Sequence, residues 1–350
     1  MSQSSKLAVD AMGGDHAPDV IIAGLNIAAE RQPKTSFLIF GDEARLTPLL
    51  AKAKNLAGRY ELRHCAEVVS GDMKPTVALR LAGSSMRRSI DSVHAGEAQG
   101  VVSAGNTGAL LALSKIVLKT LKGIDRPAMA AIAPSVKGDL VMLDLGLNVS
   151  CDSRNLVEFA LMGTIFARIV LGLPAPSFGL LNVGSEEGKG DETVRSAAAT
   201  LRMSPIAKQF HGFIEGHDIG AGTVDVVVTD GFTGNVALKT AEGTFHLVAE
   251  LLRRVFKTSA VAKVGYLLAS GAMRRLKETL DPRRYNGAVL LGLNGVVVKS
   301  HGGTDAEGFA HAVDVAIDMI SNDFNTKIAD SLVELDRAIL ADPSSAASDV

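Results

Sequence analysis

Short apolar runs that end in Gly or Asp alternate along the chain with longer segments of helical periodicity. Ten runs have the length and composition of strands: KLAVD, FLIFG, YELRHC, GVVSAG, AMAAIAP, LVMLDLG, FGLLNVG, FHGFIEG, DVVVTDG and GVVVKSHG. Segments such as 155–171 and 326–340 repeat their apolar residues about every 3.6 positions and predict helices. The alternation predicts an α/β fold with a mostly parallel sheet and helices on both faces.

The pattern contains no internal repeat and no long Pro/Ser linker. We therefore expect one α/β catalytic domain over residues 1–340. The last ten residues, ADPSSAASDV, have the composition of a frayed tail over 341–350.

Five polar, glycine-rich turns directly follow predicted strands: DAMGGDHAP, SAGNTGAL, NVGSEEGKG, TDGFTGNVALKT and KSHGGTDA. Ligands of open parallel sheets bind beyond the carboxyl ends of the strands. We expect all five turns to lie at one edge of the sheet and to form one crevice.

Individual residues in these turns have candidate roles. A helix is expected to begin after Gly105. Either Asn106 or Thr107 caps it, or its first N–H groups are free to bind an anion. Asn235 is expected in the first turn of another helix, where its amide can donate to a ligand oxygen. Lys189 stands between two glycines. It is either a solvated charge in a loop or a cation that faces an oxyanion.

Composition narrows the choice of function. The chain has 47% hydrophobic and 21% charged residues, a net charge of −2, 4% aromatics and no Trp, which argues against a nucleic-acid binder. Two distant cysteines, Cys65 and Cys151, give neither a disulfide framework nor a metal spacing, so we expect a reduced, cytoplasmic protein without a metal. No apolar run is long enough for a signal peptide or a membrane span.

One segment is unusually basic. Between Glu250 and Tyr285 there are nine Lys or Arg residues and three acids, a local net charge of +6, with Leu and Val at helical spacing. We expect a protruding helical hairpin at about 245–284, broken near SGAM at 270–273. Its apolar face suits packing against a second copy of the chain. Its basic residues suit contact with an anionic membrane surface or an acidic carrier protein.

Taken together, the five turns and the block YNGAVLLGLNGVVVKSHGGTDA resemble the signature sequences of PlsX-type phosphate acyltransferases, from about Lys6 to Leu340. The resemblance implies transfer of a fatty acyl group from acyl-[acyl carrier protein] to inorganic phosphate, giving acyl phosphate for phospholipid synthesis. It also implies a three-layer α/β/α sandwich similar to the phosphotransacetylase and isocitrate-dehydrogenase type, a homodimer, no cofactor, and a membrane glycerol-3-phosphate acyltransferase that takes the product. We expect a cytoplasmic protein associated peripherally with the membrane.

The resemblance identifies Lys189 and Asn235 as the catalytic donors. The other residues that we expect to bind substrate or phosphate are Asp10, Gly13, Gly14, His16, Gly105, Asn106, Thr107, Asp230, Gly231, Gly234, Lys239, Lys299 and His301. Lys239 and Lys299 are equally well explained as structural ion-pair partners.

Two acids in the first turn call for an explanation, because acids repel phosphate. Asp10 is expected to face the ligand, where a carboxylate accepts from a protonated phosphate oxygen or fixes a lysine. Asp15 is expected to cap the helix that starts near Pro18. The chain also departs from the family at GLNVS, where Ser150 replaces the usual acid, and at Gly302–Gly303, where many members have Gly-Ser.

Two alternatives remain open. One is a related enzyme, a phosphotransacylase that uses coenzyme A or a decarboxylating dehydrogenase, although no acidic metal-ligand cluster is evident for the latter. The other is a non-catalytic protein that binds the acyl carrier or the membrane.

Overall fold

The computed structural model describes residues 5–279 and 281–340. Eleven strands form one sheet: β1 (Lys6–Asp10), β2 (Ser36–Gly41), β3 (Tyr60–His64), β4 (Gly100–Ser103), β5 (Ala128–Ser135), β6 (Gly138–Leu143), β7 (Phe178–Leu181), β8 (Phe210–Ile214), β9 (Val226–Val228), β10 (Ala288–Leu291) and β11 (Val296–Lys299). All ten predicted strands are confirmed. The sequence reading missed β10, which is only four residues long and is separated from β11 by a short glycine-containing turn.

Helices connect most of the strands. They are α1 (Asp19–Arg31), α2 (Glu43–Leu50), α3 (Pro75–Ala78), α4 (Ser85–His94), α5 (Thr107–Leu118), α6 (Ser153–Val170), α7 (Glu192–Met203), α8 (Gly216–Ala221), α9 (Gly231–Lys257), α10 (Ala260–Leu268), α11 (Ser270–Thr279), α12 (Ala306–Ser321) and α13 (Phe324–Leu340). The two helices predicted from periodicity are confirmed as α6 and α13.

The strand order is β3-β2-β1-β4-β11-β10-β5-β6-β9-β7-β8. Strands β3, β2, β1, β4 and β11 are mutually parallel and form a first block; β6, β9, β7 and β8 form a second parallel block. Between the blocks, β10 pairs antiparallel with both β11 and β5, and β5 pairs antiparallel with β6. Three reversals in succession make the two blocks run in opposite directions.

Side chains that alternate along the strands contact helices on the two faces of the sheet. Leu7, Val9 and Val298 pack in one cluster with apolar residues of α1, α6, α7, α12 and α13. Ala8, Val101 and Val297 pack in a second cluster with residues of α4 and α5. The predicted three-layer arrangement is therefore confirmed.

The basic segment consists of three helices and not of a two-helix hairpin. Helix α9 extends without interruption to Lys257, and α10 and α11 are separated at Ala269. The observed break is at Ala269, one residue before the predicted one, so that SGAM forms the start of α11. Large apolar side chains of α9 and α10 are exposed, among them Val261, Leu267 and Leu268. The predicted tail at 341–350 lies outside the described residues.

Candidate active site

The five glycine-rich turns fall into two groups, and the expectation of a single edge is wrong. The turns after β1, β4 and β11 lie at the carboxyl edge of the first block. The turns after β7 and β9 lie at the carboxyl edge of the second block, which is the opposite edge because the blocks run in opposite directions. Each group surrounds its own cavity.

The first cavity begins at three residues in register on neighbouring strands. Asp10 of β1 and Lys299 of β11 both lie opposite Ser103 of β4, at the last position of each strand. The cavity beyond them measures about 350 Å³ and is lined by Met12, Gly14, Asp15, residues 68–71, residues 104–107, Lys299 and Gly302.

The Asp10 carboxylate lies beneath this cavity and is fully buried. It accepts hydrogen bonds from Ser85 Oγ at 2.6 Å, from Ser103 Oγ at 2.7 Å and from the Met12 amide at 3.3 Å. Desolvation raises its pKa, and the hydroxyl donors partly offset this rise. The expectation that Asp10 faces the ligand is therefore corrected: its oxygens bind internal donors and support the floor of the cavity.

Lys299 is the cation of the first cavity. Its side chain is nine-tenths buried, and Nζ donates to the backbone carbonyls of Ser300 and Ala104. Burial lowers its pKa to about 8, and the Asp15 and Asp10 charges limit the fall. Among the described residues, no carboxylate lies within ion-pair distance of Nζ, so the alternative of a structural ion pair does not apply to Lys299.

Asp15 was expected to cap the first helix, and this expectation is wrong. Helix α1 starts at Asp19, and its N-cap, Pro18, has no side-chain cap. The Asp15 amide donates instead to the Gly302 carbonyl at 2.9 Å, and its carboxylate lies over Gly302 and Gly303. Asp15 thereby joins the turn after β1 to the turn after β11 and adds an acid to the cavity wall.

Glycines in the first turn are required by close packing. A Cβ on Gly13 would lie 2.5 Å from Asp10 Oδ2 and 2.7 Å from the Gly105 amide, and Gly14 has a φ of +110°. The two histidines of these turns, His16 and His301, are exposed. The His301 ring accepts the Gly303 amide through Nδ1 at 3.1 Å.

Helix α5 begins at the cavity with Asn106 as its N-cap. Asn106 Oδ1 accepts the Ala109 amide at 2.9 Å, while Nδ2 donates to the carbonyls of Gly71 and Met73. The Gly105 amide donates to Ser103 Oγ at 3.0 Å. Asn106 therefore caps the helix, which was one of its two predicted roles, and the Gly105 amide is used within the protein. Thr107 and Gly108 remain as the helix-starting residues whose amides lack partners within the helix.

In the second group, the residue that organises the turns is Asp144, which the sequence reading missed. Its fully buried carboxylate accepts the amides of Met129 at 2.9 Å, Leu147 at 3.2 Å and Asn148 at 2.6 Å, and also the Asn148 side chain at 2.9 Å. Desolvation raises its pKa against these hydrogen bonds. The sequence does contain a signal for this acid, because LVMLD ends in an aspartate just as KLAVD does.

Helix α9 begins against this turn. The Gly231 amide donates to the Asn148 carbonyl at 2.7 Å, and a Cβ on Gly234 would lie 2.0 Å from the Asp144 carbonyl. Asp230 is the N-cap and accepts from the Thr233 amide and hydroxyl. Asp230, Gly231 and Gly234 therefore position α9, and the amides of the two glycines are used within the protein.

The two proposed donors lie at the same edge, after neighbouring strands β7 and β9. Asn235 is exposed at the start of the second turn of α9, one residue beyond the predicted first turn, and its side chain packs over Gly146. Lys189 is exposed in the loop after β7, and its backbone amide donates to the Glu186 carbonyl. No described residue forms an ion pair with Lys189.

Lys239 forms an ion pair with Glu242 at 2.7 Å on the exposed surface of α9. Lys239 is therefore a structural ion-pair partner, which was one of its two predicted roles. Cys151 is half-buried, and desolvation together with the Asp144 and Asp230 charges raises its pKa to about 12. A thiol that stays protonated at neutral pH is a poor nucleophile.

A second cavity of about 380 Å³ lies at this edge, between the loop that carries Lys189 and the start of α9. Its apolar lining comes from the ends of β7 and β9 and from α6, α7 and α9: Leu156, Leu180, Leu181, Val194, Val228 and Phe232. Ser150, at the position of the usual family acid, is on its wall.

Within residues 5–279 and 281–340, no three His, Cys, Asp or Glu side chains are grouped to hold a metal ion. Across the same residues, every helix is too short or too polar to cross a membrane.

Solved structures share this fold. The chain superposes with a TM-score of 0.61 on a phosphotransacetylase from Streptococcus pyogenes, covering 91% of this chain and 95% of that one at 18% identity. The corresponding TM-score for EutD phosphotransacetylase from Staphylococcus aureus is 0.58, at 16% identity, with the same coverage. These likenesses establish the fold.

Curated relatives match much more closely. A phosphate acyltransferase from Acidiphilium cryptum is 68% identical over 93% of this chain and 86% of its own length. Another, from Rhodospirillum centenum, is 60% identical over 97% and 96%. Residues 5–327 match the family model described as fatty acid synthesis protein. The chain therefore belongs to this family, whose curated members found here are phosphate acyltransferases, and it is an acyltransferase.

Proposed function

We propose that this enzyme transfers a fatty acyl group from the thioester of acyl carrier protein to inorganic phosphate. A phosphate oxygen attacks the thioester carbonyl carbon, the C–S bond breaks, and the carrier thiolate leaves and takes a proton. The observation that carries this proposal is the position of Lys189 in the loop after β7 and of Asn235 near the start of the helix after the neighbouring strand β9. Both side chains are exposed, and their chain neighbours Asp191 and Phe232 line the second cavity, in a chain of the phosphate acyltransferase family.

The two donors suit the charge that develops during transfer. The thioester carbonyl oxygen becomes negative in the tetrahedral intermediate, and preorganised donors stabilise it. Asn235 is held by the Asp144–Asn148 turn through Gly231, and Lys189 supplies a positive charge from a loop. Phosphate is itself the nucleophile, so no covalent enzyme intermediate is required.

We also propose that the first cavity, which lies at the opposite edge of the sheet from Lys189 and Asn235, binds a second phosphate-type anion and not the attacking phosphate. Lys299 supplies a buried ammonium, and the amides of Thr107 and Gly108 point from a helix start. Asp10 holds Ser85 and Ser103 under this site and is a positioning residue. Phosphate groups are attracted by the ammonium charge, which the nearby Asp15 only partly offsets.

The remaining proposals concern partners and location. Helices α9 and α10 of the basic segment expose Leu and Val side chains, which suits an anionic membrane surface, an acidic carrier protein or a second copy of this chain. We propose a cytoplasmic homodimer that associates peripherally with the membrane. There its product, an acyl phosphate, passes to a glycerol-3-phosphate acyltransferase for phospholipid synthesis.

The test mixes the protein with acyl carrier protein thioester and phosphate, and traps the product with hydroxylamine. Hydroxamate is expected only when both substrates are present. Equal product without phosphate would identify a thioesterase. Activity with acyl-coenzyme A and none with the carrier thioester would identify the coenzyme A-dependent alternative, and carrier binding without product would identify a non-catalytic protein.

A further inference from the structure

The second cavity has a defined place relative to the two donors. Its wall includes Asp191, two residues after Lys189, and Phe232, three residues before Asn235. Its floor is formed by Leu156, Leu180 and Val228, all of which are buried. We propose that this cavity receives the acyl chain of the thioester; the inference rests on the acyl transfer proposed above.

The charge of the wall excludes an anion and fits an uncharged chain. None of the residues described as lining this cavity is Lys or Arg. Its two acids are both helix caps: Asp191 accepts the Val194 amide at 2.9 Å, and Asp230 accepts the Thr233 amide at 2.9 Å. Their charges therefore face helix starts, which stabilise them. The first cavity differs because it contains the buried Lys299 ammonium.

The rim also has the chemistry that a lipid chain needs. Val149 and Phe232 are 71% and 63% exposed at the cavity wall, so apolar surface meets water there in the free protein. A chain that enters between them removes that surface from water. A volume of about 380 Å³ is within the range of small-molecule sites. A chain seated on this floor leaves its carbonyl near the mouth, toward the loop of Lys189 and the start of the helix that carries Asn235.

Shortening the cavity should change which chain length the enzyme prefers. Each methylene that loses its buried place costs about a factor of four in kcat/KM, from the transfer free energy of a CH₂ group. Val194 is half-buried on the first turn of α7 and reaches the cavity from one side. Leu181, at the end of β7, reaches it from the sheet. A larger side chain at either position fills part of the volume.

The experiment compares octanoyl, dodecanoyl and palmitoyl carrier protein with Val194→Phe, Leu181→Phe and the wild type. We expect both variants to lose about tenfold in kcat/KM for palmitoyl relative to octanoyl substrate, with the KM for phosphate unchanged. The matched control is Val136→Phe, at an exposed turn between β5 and β6, which should keep the wild-type profile. Two variants protect the result against misfolding of one.

An unchanged chain-length profile in both folded variants overturns the acyl-chain assignment while acyl phosphate formation stands. If the wild type forms no acyl phosphate, the proposed function fails, and the cavity is then judged by binding alone. In that case, weaker binding of palmitoyl carrier protein by Val194→Phe than by Val136→Phe supports the assignment, and equal binding overturns it.

Discussion

Asn148 binds the Asp144 carboxylate twice, through its backbone amide at 2.6 Å and through its side-chain amide at 2.9 Å. The carbonyl of the same Asn148 accepts the Gly231 amide, where α9 begins. A buried acid thereby fixes the turn against which the helix carrying Asn235 starts. Asp144 is a positioning residue in this arrangement.

Asp144→Ala should lower the free energy of unfolding by about 3 kcal/mol, because it leaves buried amide donors without acceptors. Turnover should fall further than the folded fraction does, since the start of α9 loses its support. Urea denaturation and kcat normalised to folded protein measure the two effects. Asp91→Asn is the control, as it breaks only the exposed pair of Asp91 with Arg87, worth about 0.5 kcal/mol. Full kcat in folded Asp144→Ala would show that the acid has no positioning role.

Lys189→Ala and Asn235→Ala should each reduce kcat at least about 100-fold, because each removes a donor to the developing oxyanion. Both side chains are exposed, so the melting temperature should remain nearly unchanged. Hydroxamate formation and thermal unfolding are the measurements. Cys151→Ser should retain most activity, because its thiol is protonated at neutral pH. An active Lys189→Ala enzyme, or an inactive but folded Cys151→Ser enzyme, reverses these assignments.

Lys299 should make phosphate binding dependent on pH. Burial lowers its pKa to about 8, so the ammonium is lost as the pH rises through 8, and the dissociation constant of phosphate from the first cavity should increase between pH 7 and 9. Lys299→Arg should flatten this rise, because a guanidinium stays charged. A profile of dissociation constant against pH for Lys299→Arg that matches the wild type would place the titrating group elsewhere.

A rise in pH weakens anion binding through Lys299, but it increases the contribution of the same lysine to stability. Its folded pKa of about 8 lies below the value of 10.5 for a free lysine. Between these two values the unfolded chain binds more protons, so the contribution of Lys299 to the unfolding free energy rises with pH across that window. Denaturation at several pH values should show this rise in the wild type and not in Lys299→Met.

The helices α10 and α11 should bind anionic vesicles. Leu267 and Leu268 are 71% and 84% exposed, and each basic residue at an anionic surface contributes about 1 kcal/mol, which salt screens. Leu267→Glu with Leu268→Glu should weaken vesicle sedimentation and leave hydroxamate formation from soluble carrier substrate largely intact. Light scattering is the control. A monomeric double variant, or a wild type that ignores vesicles at low salt, identifies the segment as a dimer element.

The sequence by itself determined the local elements and the family. Ten strands, α6 and α13, and the cap at Asn106 follow from periodicity and from side chains that bind the backbone within a few residues. These are short-range effects, and five glycine-rich blocks are specific enough to indicate a phosphate acyltransferase.

Only the tertiary structure decided which of these turns meet. Strand pairing joins residues far apart in the chain, and the antiparallel strands β10 and β5 separate the five turns into two groups. The burial of individual side chains depends on the same long-range packing. The Asp10 carboxylate, for example, is buried against the hydroxyl of Ser85, which is 75 positions away in the chain. Asp144 emerged as an organising residue for the same reason, since its partners come from β5 and from the next turn.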